Sequence, residues 1–158
     1  MEFLKLFYIK DNLITPHISL NEYKCHHCGK LPIIKNYQHY SAILHLFSIF
    51  ENVRAYYGEP IVITSGYRCP EYQEILRSKG YKAAKYSPHN FGVALDIMGH
   101  TIEDTAKLYA YIKKQFPDVR LGYFKYKEHF IHMDVAYLLK PEDIPEPAKP
   151  YWHKGARW

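Results

Sequence analysis

The chain has 158 residues, of which 47% are hydrophobic and 23% are charged, and this is the composition of an ordinary globular protein. Its length suits one core, so residues 1–158 are predicted to form a single domain. The formal net charge of +5 favours anionic partners, but no block of lysine and arginine indicates a tail that binds nucleic acid.

The N-terminal residues do not predict a signal peptide. Residues 1–14 mix apolar side chains with Lys5, Lys10 and Asp11, whereas a signal peptide needs an unbroken apolar stretch. No segment approaches the roughly 18 apolar residues of a membrane span. We therefore expect the chain to be made as a soluble cytoplasmic protein.

The first half of the chain predicts a loop, a long helix, a strand and a short helix, in that order. Residues 15–35 are rich in turn residues, and residues 41–57 carry apolar side chains at helical spacing. The β-branched run at 60–64 is typical of a buried strand. A turn at 65–70 follows, and its proline suits the start of a short helix that Gly80 can end.

The second half predicts three strands and one more helix. Residues 93–98 form a mostly apolar strand, and a possible capping box opens a helix over about 101–116. Two further strands are predicted at 119–124 and 129–135, with a hairpin turn around Lys125–Glu128.

Helices and strands are mixed along the chain without strict alternation. This pattern predicts an α+β fold, in which a central, mainly antiparallel sheet is flanked by helices. The proline-rich tail at 137–158 is expected to wrap the surface as extended chain.

Three side chains suited to metal binding stand in or beside two of these strands. Side chains alternate between the faces of a strand, so Leu95 and Ile97 share one face and leave Asp96 on the other. His132 is placed in the same way in its own strand. If both strands lie in one sheet, Asp96 and His132 project from one surface, and the loop carrying His89 can fold back over it.

Two imidazoles and one carboxylate are a common ligand set for catalytic zinc, and they leave a fourth position for water. Zinc lowers the pKa of that water and polarises a carbonyl group. His89, Asp96 and His132 are therefore predicted to bind one Zn²⁺. The alternative is that three unrelated polar residues share one face of the sheet.

The motif around these residues resembles a known family. S-x-H-x-x-G-x-A-x-D at 87–96, followed by H-x-D at 132–134, is similar to the zinc D-Ala-D-Ala peptidases, particularly their small single-domain branch, which is related to hedgehog-type zinc folds. Four further segments match in the same order, at 18–25, 65–68 (S-G-Y-R), 121–123 and 155–158.

The resemblance implies a central antiparallel sheet, zinc on His89, Asp96 and His132, and a peptidoglycan peptide as substrate. It also implies that Arg68 faces the substrate, where a guanidinium can stabilise a developing oxyanion or hold a carboxylate. The alternative for Arg68 is a structural ion pair.

The general base is where the chain departs from the family, many members of which carry Glu or Asp shortly before the last zinc histidine. Here Glu128 and His129 stand before His132. Strand alternation places Glu128 on the side of His132 and His129 on the opposite side. We predict that one of these two is the base, with Asp134 or a weak or absent base as alternatives. Asp134 is expected instead to orient the His132 ring.

The C-H-H-C segment at 25–28 is half of a zinc-finger-like site, to which Cys69 can add a third sulfur. A complete structural site needs four ligands, so His17 or a histidine of the segment would have to contribute. The alternative is a set of free thiols, because the odd number of cysteines argues against a disulfide framework. The sequence leaves this choice open.

The leading functional hypothesis is a monomeric zinc carboxypeptidase or endopeptidase that cuts stem or cross-link peptides of peptidoglycan. The expected absence of a signal fits a phage endolysin or virion part that reaches the cell wall at lysis. One alternative is a zinc-binding structural or cell-wall-binding module of the same fold without turnover. Another is an intracellular dipeptidase acting on D-Ala-D-Ala.

Overall fold

The computed structural model describes residues 1–81, 83–125 and 128–158 of the chain. Its strands are β1 (Leu13–Thr15), β2 (Ile18–Ser19), β3 (Val62–Ser65), β4 (Ala94–Met98), β5 (Arg120–Phe124) and β6 (Phe130–Asp134). Its helices are α1 (Phe3–Leu6), α2 (Leu20–Tyr23), α3 (Tyr37–Tyr57), α4 (Pro70–Ser78) and α5 (Ile102–Gln115). The α+β fold class predicted from the sequence is confirmed.

A four-stranded antiparallel sheet in the order β3-β4-β6-β5 forms the centre of the structure. Its strands lie where the β-branched and apolar runs predicted them, to within two residues at their ends. The pairing of β5 with β6 extends to Phe124 opposite Phe130. The turn predicted between them includes residues 126–127, which lie outside the described residues.

One face of the sheet belongs to the apolar core. Leu95 and Ile97 of β4 and Met133 of β6 are fully buried in one cluster with side chains from α3 and α5. Asp96 and His132 stand between these apolar positions and therefore project from the opposite face, as the alternation predicted. The core thus fixes which surface of the sheet carries the polar residues.

The long helix α3 starts four residues before its predicted start at residue 41. The side chain of Asn36 accepts a hydrogen bond from the backbone N–H of His39 at 2.9 Å, which caps the helix. Tyr37 in the first turn is exposed, so the apolar periodicity did not mark this turn. Gly58 ends the helix with a left-handed φ of 74°.

Helix α5 begins at the predicted cap. Thr101 Oγ1 accepts a hydrogen bond from the backbone N–H of Asp104 at 3.0 Å. The Asp104 carboxylate in turn accepts from the hydroxyl of Tyr57 at 3.0 Å, which ties α5 to the end of α3.

The first 35 residues contain short elements that the sequence did not predict, namely α1, the β1–β2 hairpin and α2. Elements of two to four residues carry too few side chains for a periodic pattern to appear. Helix α2 opens with a capping box between Ser19 and Glu22. It carries the buried Tyr23, whose hydroxyl donates to the carbonyl of Gly92 at 2.8 Å.

The C-terminal tail is only partly extended, which corrects the prediction for 137–158. Short 3-10 turns occupy Ala136–Leu138, Pro141–Asp143 and Glu146–Ala148. In the last two, a proline in the first turn fixes a φ that suits such a turn. The last residues are extended and pair with β5, where the backbone N–H of Tyr123 donates to the carbonyl of Trp158 at 3.0 Å. Among the described residues, no helix is long and apolar enough to cross a membrane.

Candidate metal centre

Three buried side chains converge on the polar face of the sheet. Potential ligand atoms of His89, Asp96 and His132 all lie within 4.8 Å of one another. Asp96 Oδ1 is 3.1 Å from His89 Nε2 and 3.0 Å from His132 Nδ1. The structure therefore brings together the three residues that the sequence predicted as metal ligands.

Two of the three side chains are placed by strand register. Asp96 in β4 and His132 in β6 are directly opposite partners of an antiparallel pair. Opposite side chains of such a pair lie on the same face of the sheet with their Cβ atoms about 5 Å apart. Any slip of one residue would turn one of them into the core, so the apolar pattern that fixes the register also fixes this pair.

The third side chain, His89, is placed by a 3-10 turn before β4. Ser87 caps this turn by accepting from the backbone N–H of His89, and Gly92 ends it with a left-handed φ of 70°. The ring is held from behind, because His89 Nδ1 lies 2.5 Å from the carbonyl oxygen of Gly66. Gly66 has no room for a side chain, since an added Cβ would lie 2.6 Å from the carbonyl oxygen of Tyr23.

The His132 ring is held by Asp134, which is fully buried. His132 Nε2 lies 2.6 Å from Asp134 Oδ2, while Asp134 Oδ1 accepts from Arg120 Nε at 2.8 Å and from the backbone N–H of Ala136 at 3.0 Å. A carboxylate behind a histidine is the usual way in which a metal-binding imidazole is oriented. The structure thus provides the contact expected of Asp134 as a supporting residue.

The donor set fits a zinc ion. Each ring turns its far nitrogen to an acceptor. When the ring is neutral, as metal binding requires, this acceptor takes its one N–H and leaves a lone pair aimed at Asp96 Oδ1. His89 Nε2, His132 Nδ1 and Asp96 Oδ1 then face one another in a buried site, where a divalent cation between them would accept a lone pair from each. Ligand atoms around a tetrahedral zinc lie about 3.3 Å apart, close to the 3.0 and 3.1 Å separations found here.

The pKa values of the three groups differ in direction. Burial, followed by the charge of Arg68, lowers the pKa of His89 to about 4, so this ring is neutral and able to bind a metal near pH 7. Burial acts to raise the pKa of Asp96, but the two histidines outweigh it and hold the pKa well below its usual range.

His132 shows the opposite balance. Burial acts to lower its pKa, but the hydrogen bonds to Asp134 and Asp96 outweigh it and raise the pKa to about 9. The metal-free pocket therefore holds a proton on His132. A metal ion must displace this proton on binding, so metal affinity should fall with falling pH.

Arg68 forms an ion pair with the predicted ligand Asp96. Its Nη2 lies 2.7 Å from Asp96 Oδ2, and its Nε donates to Ser65 Oγ at 2.8 Å. The side chain is 16% exposed, so it lies at the rim of the pocket. The ion pair that the sequence left as an alternative role is present, and contact between Arg68 and a substrate stays a prediction.

The two candidates for the general base lie outside this cluster. Glu128 is exposed. His129 packs against Tyr123, with 3.4 Å between His129 Nδ1 and the tyrosine hydroxyl. Tyr123 neighbours Gly122, which pairs with His132, so it projects from the opposite face of β5. The assignment of a base stays a prediction.

Sequence reasoning missed one wall of the pocket. The indole of Trp158 lies 5.4 Å from the His132 ring, and the Arg120 guanidinium lies 5.0 Å from the Trp158 ring. Gly122 makes room for it, because an added Cβ would lie 2.5 Å from Trp158 Nε1. The signal was a glycine within an otherwise regular strand, which marks a close approach of another group.

A buried cluster of two histidines and one aspartate on an antiparallel sheet is a donor set suited to binding a metal ion. The sequence model of the family described as Peptidase M15 matches residues 16–134. The match covers most of the chain and includes all three clustered residues, so the chain belongs to this peptidase family, and the predicted resemblance to zinc D-Ala-D-Ala peptidases is confirmed. No curated protein and no solved structure matches the chain.

Proposed function

We propose that the protein is a zinc peptidase that hydrolyses stem or cross-link peptides of bacterial peptidoglycan. The observation that carries the proposal is the position of Asp96 Oδ1, which faces one nitrogen of His89 and one of His132 while both far nitrogens are held by acceptors. Membership of the Peptidase M15 family supports the reaction class.

A zinc ion held by His89, Asp96 and His132 would supply Lewis acidity, towards both water and the scissile carbonyl group. The chain's own contribution is to fix the ligands before the ion arrives. The Gly66 carbonyl keeps the lone pair of His89 Nε2 pointing into the pocket, and Asp134 does the same for His132 Nδ1. Little rearrangement is then needed for binding.

Arg68 is proposed to act at the substrate side of the pocket. Its contact with Asp96 Oδ2 keeps this ligand's second oxygen occupied and its first oxygen pointing at the histidines. From the pocket rim, the guanidinium can also donate to the carbonyl oxygen that gains negative charge during hydrolysis.

Hydrolysis also needs a group that takes a proton from water and returns it to the leaving amine. We propose Glu128 for this role ahead of His129, because a carboxylate can do both steps and because His129 packs on Tyr123. The exposure of Glu128 supports access to solvent, and substrate binding would have to bring it to the reacting water.

A second candidate function is a zinc-binding module of the same fold that recognises cell wall without cutting it. One observation favours it, namely that neither candidate base belongs to the buried cluster. A third is a dipeptidase acting on free D-Ala-D-Ala inside the cell. The proposed setting of the leading function, release at phage lysis or as part of a virion, depends on the family resemblance alone.

Three incubations separate these functions. Zinc-loaded protein is mixed with purified sacculi, with soluble stem peptides and with D-Ala-D-Ala, and the products are identified by mass. Asp96→Asn protein serves as the control. New peptide termini from sacculi support the proposal, whereas cleavage of the dipeptide alone supports the dipeptidase. Pelleting with sacculi without new termini supports the binding module.

A further inference from the structure

A second cluster of potential metal ligands lies outside the candidate centre. The sulfur atoms of Cys25, Cys28 and Cys69 all lie within 4.8 Å of one another. Cys25 and Cys69 are buried, Cys28 is partly buried, and all three are free thiols. Sulfur atoms bound at about 2.3 Å to a tetrahedral zinc lie about 3.8 Å apart, so only small shifts separate this cluster from zinc geometry.

The loop that carries Cys25 and Cys28 forms a tight turn around the sulfur of Cys25. The backbone N–H of Gly29 donates to the carbonyl of Cys25 at 2.8 Å, and Gly29 adopts a left-handed φ of 71°. The N–H of Cys25 donates to the carbonyl of Lys30 at 2.9 Å, which closes the loop. This turn presents both cysteine side chains on one side.

Backbone N–H groups surround the Cys25 sulfur. The N–H of Cys69 donates to it at 3.3 Å. Burial acts to raise the pKa of the Cys25 thiol, but the backbone N–H groups of Cys69, Cys28 and His27 together outweigh it and lower the pKa. Hydrogen bonds of this kind favour a thiolate over a thiol, and the thiolate is the form that binds metal ions.

Cys69 is the N-cap of α4, and its sulfur accepts from the backbone N–H of Tyr72 at 3.4 Å. Burial, together with the neighbouring Cys28 and Cys25, outweighs the lowering effect of this contact and raises the pKa of the Cys69 thiol to about 12. A metal ion at the cluster would therefore have to displace the proton of Cys69, as metal ions do when they bind thiols.

A fourth ligand is available from Glu71. Its Oε2 lies 3.7 Å from the sulfur of Cys69, and its exposed side chain can rotate towards the other two sulfurs. Two of the histidines considered from the sequence have other partners, since His17 contacts Glu51 at 2.6 Å and His26 contacts the carbonyl of Glu22 at 3.2 Å.

We propose that Cys25, Cys28 and Cys69 bind a structural zinc ion, with Glu71 as the fourth ligand. The ion fastens the loop at 24–30 to the turn that follows β3. That turn contains Arg68, next to Cys69, and Gly66, whose carbonyl holds His89. The second ion therefore stabilises the backbone from which the hydrolytic centre is built, although it takes no part in the reaction itself.

Cobalt substitution tests the proposal on the intact wild-type protein. Thiolate ligands give Co²⁺ an intense charge-transfer absorption in the near ultraviolet, whereas a His-Asp-His site does not. Reduced, cobalt-loaded protein should bind two ions per chain and show this band. Absence of the band, or a mass lower by two hydrogens that reveals a disulfide, would overturn the proposal.

Two variants assign the band to its site. Cys28→Ser, chosen because Cys28 is only partly buried, should lose the band and one ion while keeping the other. His132→Ala should lose the other ion and keep the band. This result would stand even if the protein proved inactive on peptidoglycan. A band that disappears in His132→Ala and persists in Cys28→Ser would overturn the assignment to the cysteines.

Glu71→Gln tests the fourth ligand, with Glu74→Gln on the same helix as the matched control. Loss of the carboxylate charge should weaken cobalt binding at the cysteine site and shift the visible bands, whereas Glu74→Gln should change neither. Identical spectra for Glu71→Gln and the wild type would show that Glu71 is not a ligand.

Discussion

The two clusters of ligands stand on different kinds of backbone. In the His-Asp-His centre, Asp96 and His132 face each other across paired strands of the central sheet. In the cysteine cluster, every sulfur comes from a loop or from the first residue before a helix. A sheet keeps its register without a metal ion, whereas a loop has few contacts that hold its shape.

This difference indicates different roles for the two proposed ions. The first centre is arranged before metal binding, because Gly66 and Asp134 already orient its rings, and such an arrangement suits catalysis. The cysteine cluster joins two segments far apart in sequence, so its ion would contribute to folding more than to chemistry. Removing the first ion should abolish turnover with the fold intact, and removing the second should loosen the fold.

Asp96→Asn tests most directly whether the His-Asp-His centre is needed for turnover but not for the fold, and it has the largest expected effect. A neutral amide oxygen is a poor partner for zinc and leaves the charge of Arg68 without its partner. Hydrolysis should fall to background and one ion per chain should be lost, as measured by product analysis and elemental analysis. Near-ultraviolet circular dichroism should stay close to that of wild type. Normal zinc content in this variant would remove Asp96 from the ligand set.

Arg68→Ala should lower turnover by roughly 10²–10³ if the guanidinium stabilises charge in the transition state. The measurement is the turnover of protein whose zinc content has been verified, with Arg68→Lys as a matched control that keeps the charge. Weaker zinc binding with unchanged turnover of the loaded protein would show that the ion pair with Asp96 is the whole role of Arg68.

Glu128→Gln should slow hydrolysis by ~10² or more without loss of metal, because removal of a general base leaves the ligands in place. His129→Ala serves as the comparison, and a smaller effect is expected for it because its ring packs on Tyr123. Rates are measured at saturating substrate on protein whose zinc content has been verified. Unchanged rates in both variants would show that neither Glu128 nor His129 is the general base.

Asp134→Asn should have the smallest effect of the four, a loss of about 10–100-fold in zinc affinity or activity. The amide can still contact His132, but it no longer provides the negative charge that Arg120 and the ring share. Zinc affinity is measured by competition with a chelating dye, and Asp118→Asn, at an exposed position, is the control. Equal affinity in both variants would show that Asp134 serves packing alone.

The sequence predicted the sheet and the shared face of Asp96 and His132 because both follow from side-chain alternation. Asp96 and His132 each lie between apolar residues, and only one face of the sheet carries the apolar side chains of the core. The start of α3 was missed because Asn36 caps a turn that opens with the exposed, non-periodic side chains of Tyr37 and Gln38. A helix cap depends on a single hydrogen bond, and the spacing of apolar residues in a sequence does not indicate where that bond forms.

The surroundings of the site were harder to predict because they depend on contacts between distant segments. The partner of the Arg68 guanidinium, the ring of Trp158 beside His132 and the packing of His129 on Tyr123 all join separate elements. A single sequence shows that such groups exist but not which of them meet. The order of the family motifs indicated that 65–68 and 155–158 mattered without showing where they lie.

Gly66 shows how a position can be essential without touching the reaction. It lacks room for even a methyl group beside Tyr23, and its carbonyl orients His89. In a saturation-mutagenesis screen scored by cell-wall lysis, every replacement of Gly66 should therefore be grouped with the zinc ligands. A parallel screen scored by protein abundance would separate them, because crowding at Gly66 strains the fold, whereas loss of a ligand spares it.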